Sequence, residues 1–175
     1  MDLRYTEDIK PGDILLVHTK KGFVPRAIRY FTKCYYNHAA IVVEAMGELC
    51  VLEAVGRGFM ITKTYEEYRS ESPKKRNYIV MRTKKDVPFN LKDVNTRLKN
   101  IIGHPYDYKS LLYSQLINQV TSEWKGVRDI KAEKRIYCSE ACAYAYHHLF
   151  PRWWRIAPVD IYNHEGLETV YKNHW

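Results

Sequence analysis

The sequence predicts an α+β protein in which a mostly antiparallel sheet or open barrel, formed by the N-terminal half, packs against helices of the C-terminal half. Two observations predict this class. Short apolar runs bounded by turn residues follow one another as far as residue 82, which is typical of strands. From residue 91 onward, apolar residues recur at the three- and four-residue spacing of helices. The length of 175 residues suits a single domain covering residues 1–175.

The first elements are a strand and a short helix. Pro11-Gly12 is a strong turn pair, and the apolar run from Ile14 to Val17 after it predicts a buried strand. Residues 23–34 predict a short helix, because Pro25 is tolerated in a first turn and apolar residues follow along one side.

A hairpin is predicted next, around Met46-Gly47. Its two strands are residues 38–44 and 49–55. A two-residue turn makes Ala40 the partner of Glu53, and His38 then shares a face with Glu53 as its diagonal neighbour. A three-residue loop would place these two side chains on opposite faces. The register therefore decides whether they meet.

Among the remaining elements, the predicted structure changes from strands to helices. The sequence predicts further strands at residues 59–64 and 77–82, with a short polar helix or loop at residues 65–71 between them. A helix is predicted over residues 91–102, followed by a second one from Asp107 to about Val120 and a charged connector over residues 121–134. The aromatic tail, with Trp153 and Trp154, is expected to pack back onto the domain.

The formal net charge of +8, from 28 basic and 20 acidic residues, would favour an acidic partner. The basic residues are scattered, however, and form only short clusters at Lys20-Lys21, residues 74–76 and Lys84-Lys85. No nucleic-acid-binding module surrounds them. The charge is therefore interpreted as a solvated surface, and no specific nucleic-acid partner is predicted.

The N-terminal residues lack the apolar core of a signal peptide, and no run of about 18 apolar residues exists to span a membrane. The cysteines do not form a disulfide framework pattern in a chain of this length; they are Cys34, Cys50, Cys138 and Cys142. Together these features predict a cytoplasmic protein.

The segment from Arg135 to Tyr146 carries the most chemistry. Ser139 is a favoured N-cap residue and good helix formers follow it, so a helix is predicted from Ser139 to about Phe150. Cys138 then lies at or just before the helix N-terminus, where unpaired amides and the helix dipole stabilise a thiolate. The alternative is a buried and inert cysteine.

A cysteine nucleophile needs a base, and that base needs a third group to orient it. His38 and Glu53 supply these roles if the predicted hairpin register holds. A metal site made by Cys138 and Cys142 with the neighbouring histidines does not match zinc spacings, so neither a metal nor another cofactor is predicted. Tyr35, Tyr36 and Tyr137 are predicted to line the substrate cleft, because they neighbour the catalytic candidates in sequence.

Several motifs, taken in order, resemble one known family. They are Gly12-Asp13-Ile14, Asn37-His38-Ala39-Ala40-Ile41-Val42, Leu52-Glu53-Ala54, Gly103-x-Pro105-Tyr106-Asp107, Tyr137-Cys138-Ser139-Glu140 and Pro158-x-Asp160. The chain resembles the circularly permuted papain-like cysteine amidases of the NlpC type, which are related to the lecithin:retinol acyltransferase group.

The resemblance implies a permuted papain-like fold, in which the histidine strand precedes the cysteine helix. It implies that Cys138 is the nucleophile, His38 the base and Glu53 the orienting residue, and that Gly12-Asp13 opens a strand lining the substrate cleft. The expected function is a cysteine-dependent hydrolase of amide bonds in amino-acid, peptide or peptidoglycan-fragment substrates. Two alternatives stay open: a thiol acyltransferase or lipid thioesterase of the same fold, and a non-catalytic binding module.

Overall fold

The computed structural model describes residues 9–72, 74–107 and 135–173. Its centre is a six-stranded antiparallel sheet with the strand order β4-β3-β2-β1-β5-β6. The strands are β1 (Ile14–Thr19), β2 (His38–Ala45), β3 (Glu48–Val55), β4 (Gly58–Thr64), β5 (Arg76–Thr83) and β6 (Leu167–Lys172). The predicted α+β class is confirmed, and the sheet is open, with β4 and β6 as its edges.

The helices of the described residues flank this sheet. They are α1 (Phe23–Thr32), α2 (Tyr65–Ser70), α3 (Leu91–Ile101), α4 (Cys138–Ala145) and α5 (Pro158–Tyr162), with a 3-10 turn at Trp153–Arg155. Within the described ranges, no helix is long and apolar enough to cross a membrane. The predicted helix of residues 107–120 and the connector after it lie outside the described residues.

Both faces of the sheet are covered. One face packs against α1, α3, α4 and α5, through residues such as Ile28, Leu98, Ala141 and Ile161. The other face packs against α2, whose Tyr65 and Tyr68 lie beside Tyr78 of β5. Burial on both sides explains why β1 is a continuous apolar run instead of an alternating one.

The hairpin of β2 and β3 has the first of the two registers that the sequence left open, that of the two-residue turn. Met46 and Gly47 both have positive φ angles, of 53° and 79°, which is the conformation of a tight two-residue hairpin turn. Ala40 pairs with Glu53, as expected for that turn. His38 and Glu53 therefore share a face of the sheet.

The helix after the nucleophile candidate differs from the prediction at both ends. It begins at Cys138, because Tyr137 is the extended flanking residue and its N–H donates to the Glu140 carboxylate over 3.3 Å. The buried Ser139 hydroxyl has no hydrogen-bond partner among the described residues and is not the cap. The helix ends at Ala145 instead of near Phe150, since the hydroxyl of buried Tyr146 donates to the Gly12 carbonyl and fixes the chain there.

The C-terminal tail also differs from a purely helical second half. Trp153 is buried, as expected for a tail that packs onto the domain. Residues Leu167–Lys172, however, form the edge strand β6, which pairs with β5. The apolar pattern of this strand is weak because only Leu167 is fully buried.

Candidate active site

Three side chains from distant parts of the sequence come together where β2 begins. They are Cys138 at the first residue of α4, His38 at the first residue of β2, and Glu53 in β3. The His38 Nε2–H group donates to Glu53 Oε2 over 2.6 Å. His38 also forms a hydrogen bond with the Cys138 thiol group. The imidazole thus lies between the sulfur and the carboxylate.

The Glu53 carboxylate has a second partner that sequence reasoning missed. Thr62 donates its hydroxyl to Glu53 Oε1 over 2.6 Å. The pairing of β3 with β4 shifts by one residue between Val51 and Leu52, so Thr62 is the extra residue of a β-bulge. Bulges redirect single side chains. No sequence signal distinguishes this threonine, because the bulge depends on how two strands pair.

Charge interactions favour the ionised form of the cysteine. Burial alone would raise the pKa of Cys138, but the His38 charge, its hydrogen bond, and backbone hydrogen bonds from Ala39 and Ser139 lower it below its ordinary value. Burial alone would lower the pKa of His38, but interactions with Cys138 and Glu53 raise it to about 10. Both shifts therefore favour the charged forms of the pair, a thiolate beside an imidazolium.

The carboxylate completes this charge arrangement. Glu53 is buried, which by itself would raise its pKa, but the hydrogen bond and charge of His38 and the Thr62 hydroxyl lower the pKa instead. An ionised Glu53 next to the imidazolium stabilises the positive ring and fixes its orientation.

A second cysteine on the same helix is a natural comparison. Cys142 lies one turn after Cys138 and is also buried. Burial, followed by the charges of Cys138 and Glu53, raises the pKa of Cys142 well above its ordinary value. Of the two thiols, only that of Cys138 has the environment of a nucleophile.

A cleft of about 560 Å³ opens beside the imidazole and the carboxylate, a volume typical of small-molecule sites. His38, Glu53 and Asn37 line it, together with apolar side chains of α1 and the end of β3. The Cys138 sulfur does not line this cleft, and the residue is 1% exposed. The cleft therefore gives direct access to His38 and Glu53.

Gly12 and Asp13, which were predicted to line the substrate cleft, lie elsewhere in the structure. Asp13 is buried, and its carboxylate accepts two hydrogen bonds from Arg82, each of 2.7 Å. A side chain at Gly12 would meet Phe89 and Leu91, since the glycine is packed inside the protein with a φ of 94°. Neither Gly12 nor Asp13 lines the cleft beside His38. They form a structural contact at the start of β1.

The tyrosines are also placed away from this cleft. Tyr36 lines a separate hollow of about 530 Å³ near Tyr162. Tyr35 stacks on His18 at a ring distance of 4.0 Å. Tyr137 is fully buried, and its hydroxyl donates to the Trp154 carbonyl over 3.3 Å. Proximity in sequence to the catalytic candidates did not bring these rings to the cleft wall.

In the part of the chain that the structure describes, no three side chains of His, Cys, Asp or Glu are grouped as a metal site. The four cysteines are free thiols. Within the described residues, Cys138 and Cys142 are thus not grouped with His147 and His148.

No family model and no curated protein sequence matches this chain. Among solved structures, the chain is similar to metalloprotein yiiX from Escherichia coli O157:H7. The TM-score is 0.66 at 20% sequence identity, and the match covers 95% of this chain and 98% of the other. At this identity the likeness shows a shared fold alone.

Proposed function

We propose that this protein is a cysteine-dependent hydrolase of amide bonds with a permuted papain-like fold. The observation that carries the proposal is the hydrogen-bonded series from Cys138 through His38 to Glu53, in which the charges favour a thiolate. The chain order also fits the resemblance to the permuted family, since the His38 strand precedes the Cys138 helix.

The reaction follows from this geometry. The Cys138 thiolate attacks the amide carbonyl carbon, and the carbonyl oxygen takes the negative charge. Backbone N–H groups of the first turn of α4 have no partner within the helix and stabilise this oxyanion. The His38 imidazolium gives its proton to the leaving amine as the C–N bond breaks, which leaves an acyl group on the sulfur.

The second half of the reaction restores the enzyme. Neutral His38 takes a proton from water, and the resulting hydroxide attacks the thioester carbonyl. The C–S bond breaks, the carboxylic acid leaves, and the thiolate and imidazolium form again. Glu53 holds the ring orientation in both halves, with Thr62 fixing the carboxylate. The fold neighbour is named a metalloprotein, whereas the steps proposed here use side chains and backbone groups of this chain together with a water molecule.

The test is alkylation with iodoacetamide over a range of pH, with the modified residue located by mass spectrometry. We expect Cys138 to react at pH 6 to 7, where an ordinary thiol is almost wholly protonated. Cys138→Ser must abolish the labelling, and Cys142→Ser is the matched control that must preserve it. His38→Ala must move the reaction to higher pH.

Two other outcomes would contradict the hydrolase proposal, and each would favour one of the two alternative functions. A folded protein whose Cys138 stays unlabelled at neutral pH would be a non-catalytic binding module. Acyl-enzyme trapped from phospholipids, with none from a panel of peptide and amino-acid amides, would assign a thiol acyltransferase instead. Hydrolysis of an amide that is lost in Cys138→Ser supports the hydrolase.

A further inference from the structure

Two basic clusters that are far apart in sequence meet at one end of the sheet. Lys20-Lys21 directly follows β1, and Lys74-Lys75 directly precedes β5. The register of these strands pairs Thr19 with Arg76, and the Lys20 N–H donates to the Lys75 carbonyl over 3.4 Å. Strand pairing therefore brings together two of the short basic clusters that are separate in the sequence.

All five of these cationic side chains line the cleft beside His38. They are Lys20, Lys21, Lys74, Lys75 and Arg76. The acidic side chain in the same lining is Glu53, whose oxygens are taken by His38 and Thr62. The wall of the cleft thus has a surplus of positive charge.

Nearby acidic groups do not balance this surplus. Glu71 accepts ion pairs from Lys63, Lys75 and Arg76 at 2.8, 3.1 and 2.8 Å, so one carboxylate serves three cations. Lys21 and Lys74 have no acidic partner among the described residues, and both are exposed. Grouped like charges repel one another, and an anion bound among them relieves that repulsion.

One cation of the group is held in a fixed position. The Arg76 guanidinium lies 4.2 Å from the centre of the Tyr68 ring and is 2.8 Å from Glu71. A fixed guanidinium donates paired hydrogen bonds that match carboxylate and phosphate groups. The lining also includes the apolar residues Val24, Pro25 and Ile28 of α1. The cleft therefore presents both cationic and apolar side chains to its ligand.

We infer that the substrate of this hydrolase carries at least one carboxylate or phosphate group, which binds the basic wall while its apolar part packs on α1. The inference rests on the proposed function for the identity of the reacting group. The basic wall would act as a specificity determinant, since it attracts anionic amides and orients them toward His38.

The test compares two thiol reagents that differ mainly in charge. Sulfonatoethyl methanethiosulfonate is anionic and trimethylammonioethyl methanethiosulfonate is cationic, and both react with cysteine thiolates. The measured quantity is the ratio of their rate constants, anionic over cationic, at low salt. We expect Lys21→Gln/Lys74→Gln to lower this ratio by about tenfold, and 0.5 M NaCl to reduce that effect.

A matched control removes the same charge from another surface. Lys92 and Lys99 are exposed on α3 and do not line the cleft. Lys92→Gln/Lys99→Gln should leave the ratio within about twofold of the parent protein, because distant exposed charges are screened. Equal effects of the two double variants would overturn the inference and assign the preference to net charge.

Competition identifies the source of the anionic group. Protection of Cys138 by citrate or inorganic phosphate, weakened in Lys21→Gln/Lys74→Gln, supports a soluble anionic substrate. Protection by phosphatidylglycerol vesicles, absent with phosphatidylcholine vesicles, supports a lipid headgroup. Modification of Cys138 with no charge preference and no protection by any of these anions would overturn the inference but leave the hydrolase proposal standing. A Cys138 that neither reagent modifies would instead count against the hydrolase itself.

Discussion

The two ends of the β1–β5 strand pair differ in how their charges are used. At one end, Asp13 and Arg82 form a closed pair with two hydrogen bonds of 2.7 Å, and the side chain of Asp13 is 2% exposed. At the other end, where Thr19 pairs with Arg76, five cations face a cleft. His38 lies at this second end too, since it pairs with Val17.

The difference separates structural from functional charge. The closed pair leaves no charge for a ligand, and its burial makes it part of the fold. The open end has cations without enough carboxylates, and surface charges of this kind contribute little to stability. We therefore expect substitutions at the closed end to change the free energy of unfolding, and substitutions at the open end to change reaction rates.

The largest effect is expected at the open end, from His38→Gln. This change removes the proton donor and the positive charge beside the sulfur. We expect kcat/KM for an amide substrate to fall by about 1000-fold, within the range of general acid–base catalysis. Steady-state kinetics measure the loss, and urea unfolding checks that the variant remains folded. Retention of more than a tenth of the activity would remove His38 from the mechanism.

The second-largest effect is expected at the closed end, from Arg82→Met. This substitution leaves the buried Asp13 carboxylate with one hydrogen-bond donor among the described residues, the backbone N–H of Lys10, which donates to Oδ2 over 2.8 Å. We expect the free energy of unfolding to fall by about 3 kcal/mol, because a buried charge has lost its partner. Urea denaturation followed by circular dichroism measures it.

A double variant tests the cause of this loss. Asp13→Asn/Arg82→Met removes both charges and should recover part of the lost stability. Activity per folded molecule should stay near that of the parent protein in both variants. A decrease in activity larger than the folded fraction accounts for would contradict the separation of the two ends.

The pH dependence of the open end follows from the two shifted pKa values. The lowered pKa of Cys138 and the His38 pKa of about 10 bound the range in which thiolate and imidazolium coexist. We expect kcat/KM to rise with pH through the lowered Cys138 pKa and to fall about tenfold per pH unit above about 10, where His38 loses its proton. A fall that begins near pH 6.5 to 7 would contradict the arrangement.

The smallest effect is expected from Thr62→Val, which keeps the side-chain shape but removes the donor to Glu53. We expect a loss of about 1 kcal/mol of stability, since a hydrogen bond to a charged group is lost. The Glu53 pKa should rise, because the Thr62 hydrogen bond lowers it. Protonation of Glu53 should then add to the Cys138 titration and shift the acidic limb of the pH profile to higher pH. Thr169→Val, the same substitution in β6, is the control and should leave the pH profile unchanged.

Much of the fold was predictable because it depends on local patterns. The apolar runs predicted the strands and the hairpin at Met46-Gly47, but the sequence left two registers open, and the structure has the one that places His38 near Glu53. The weakly apolar strand β6 was not predicted, since its pairing with β5 gives little signal in its own sequence. The end of α4 was misplaced because a contact of Tyr146 with Gly12, 134 residues away, ends that helix.

The sequence by itself determined the class of fold and limited the hairpin to two registers, because turn chemistry and side-chain periodicity act over a few neighbouring positions. The three candidate catalytic residues came from motifs that resemble a known family. Only the tertiary structure decided that Thr62 holds Glu53, that Asp13 is committed to Arg82, and that two lysine clusters share a cleft. These contacts join residues through strand pairing and packing, and their energies depend on distances that no local pattern specifies.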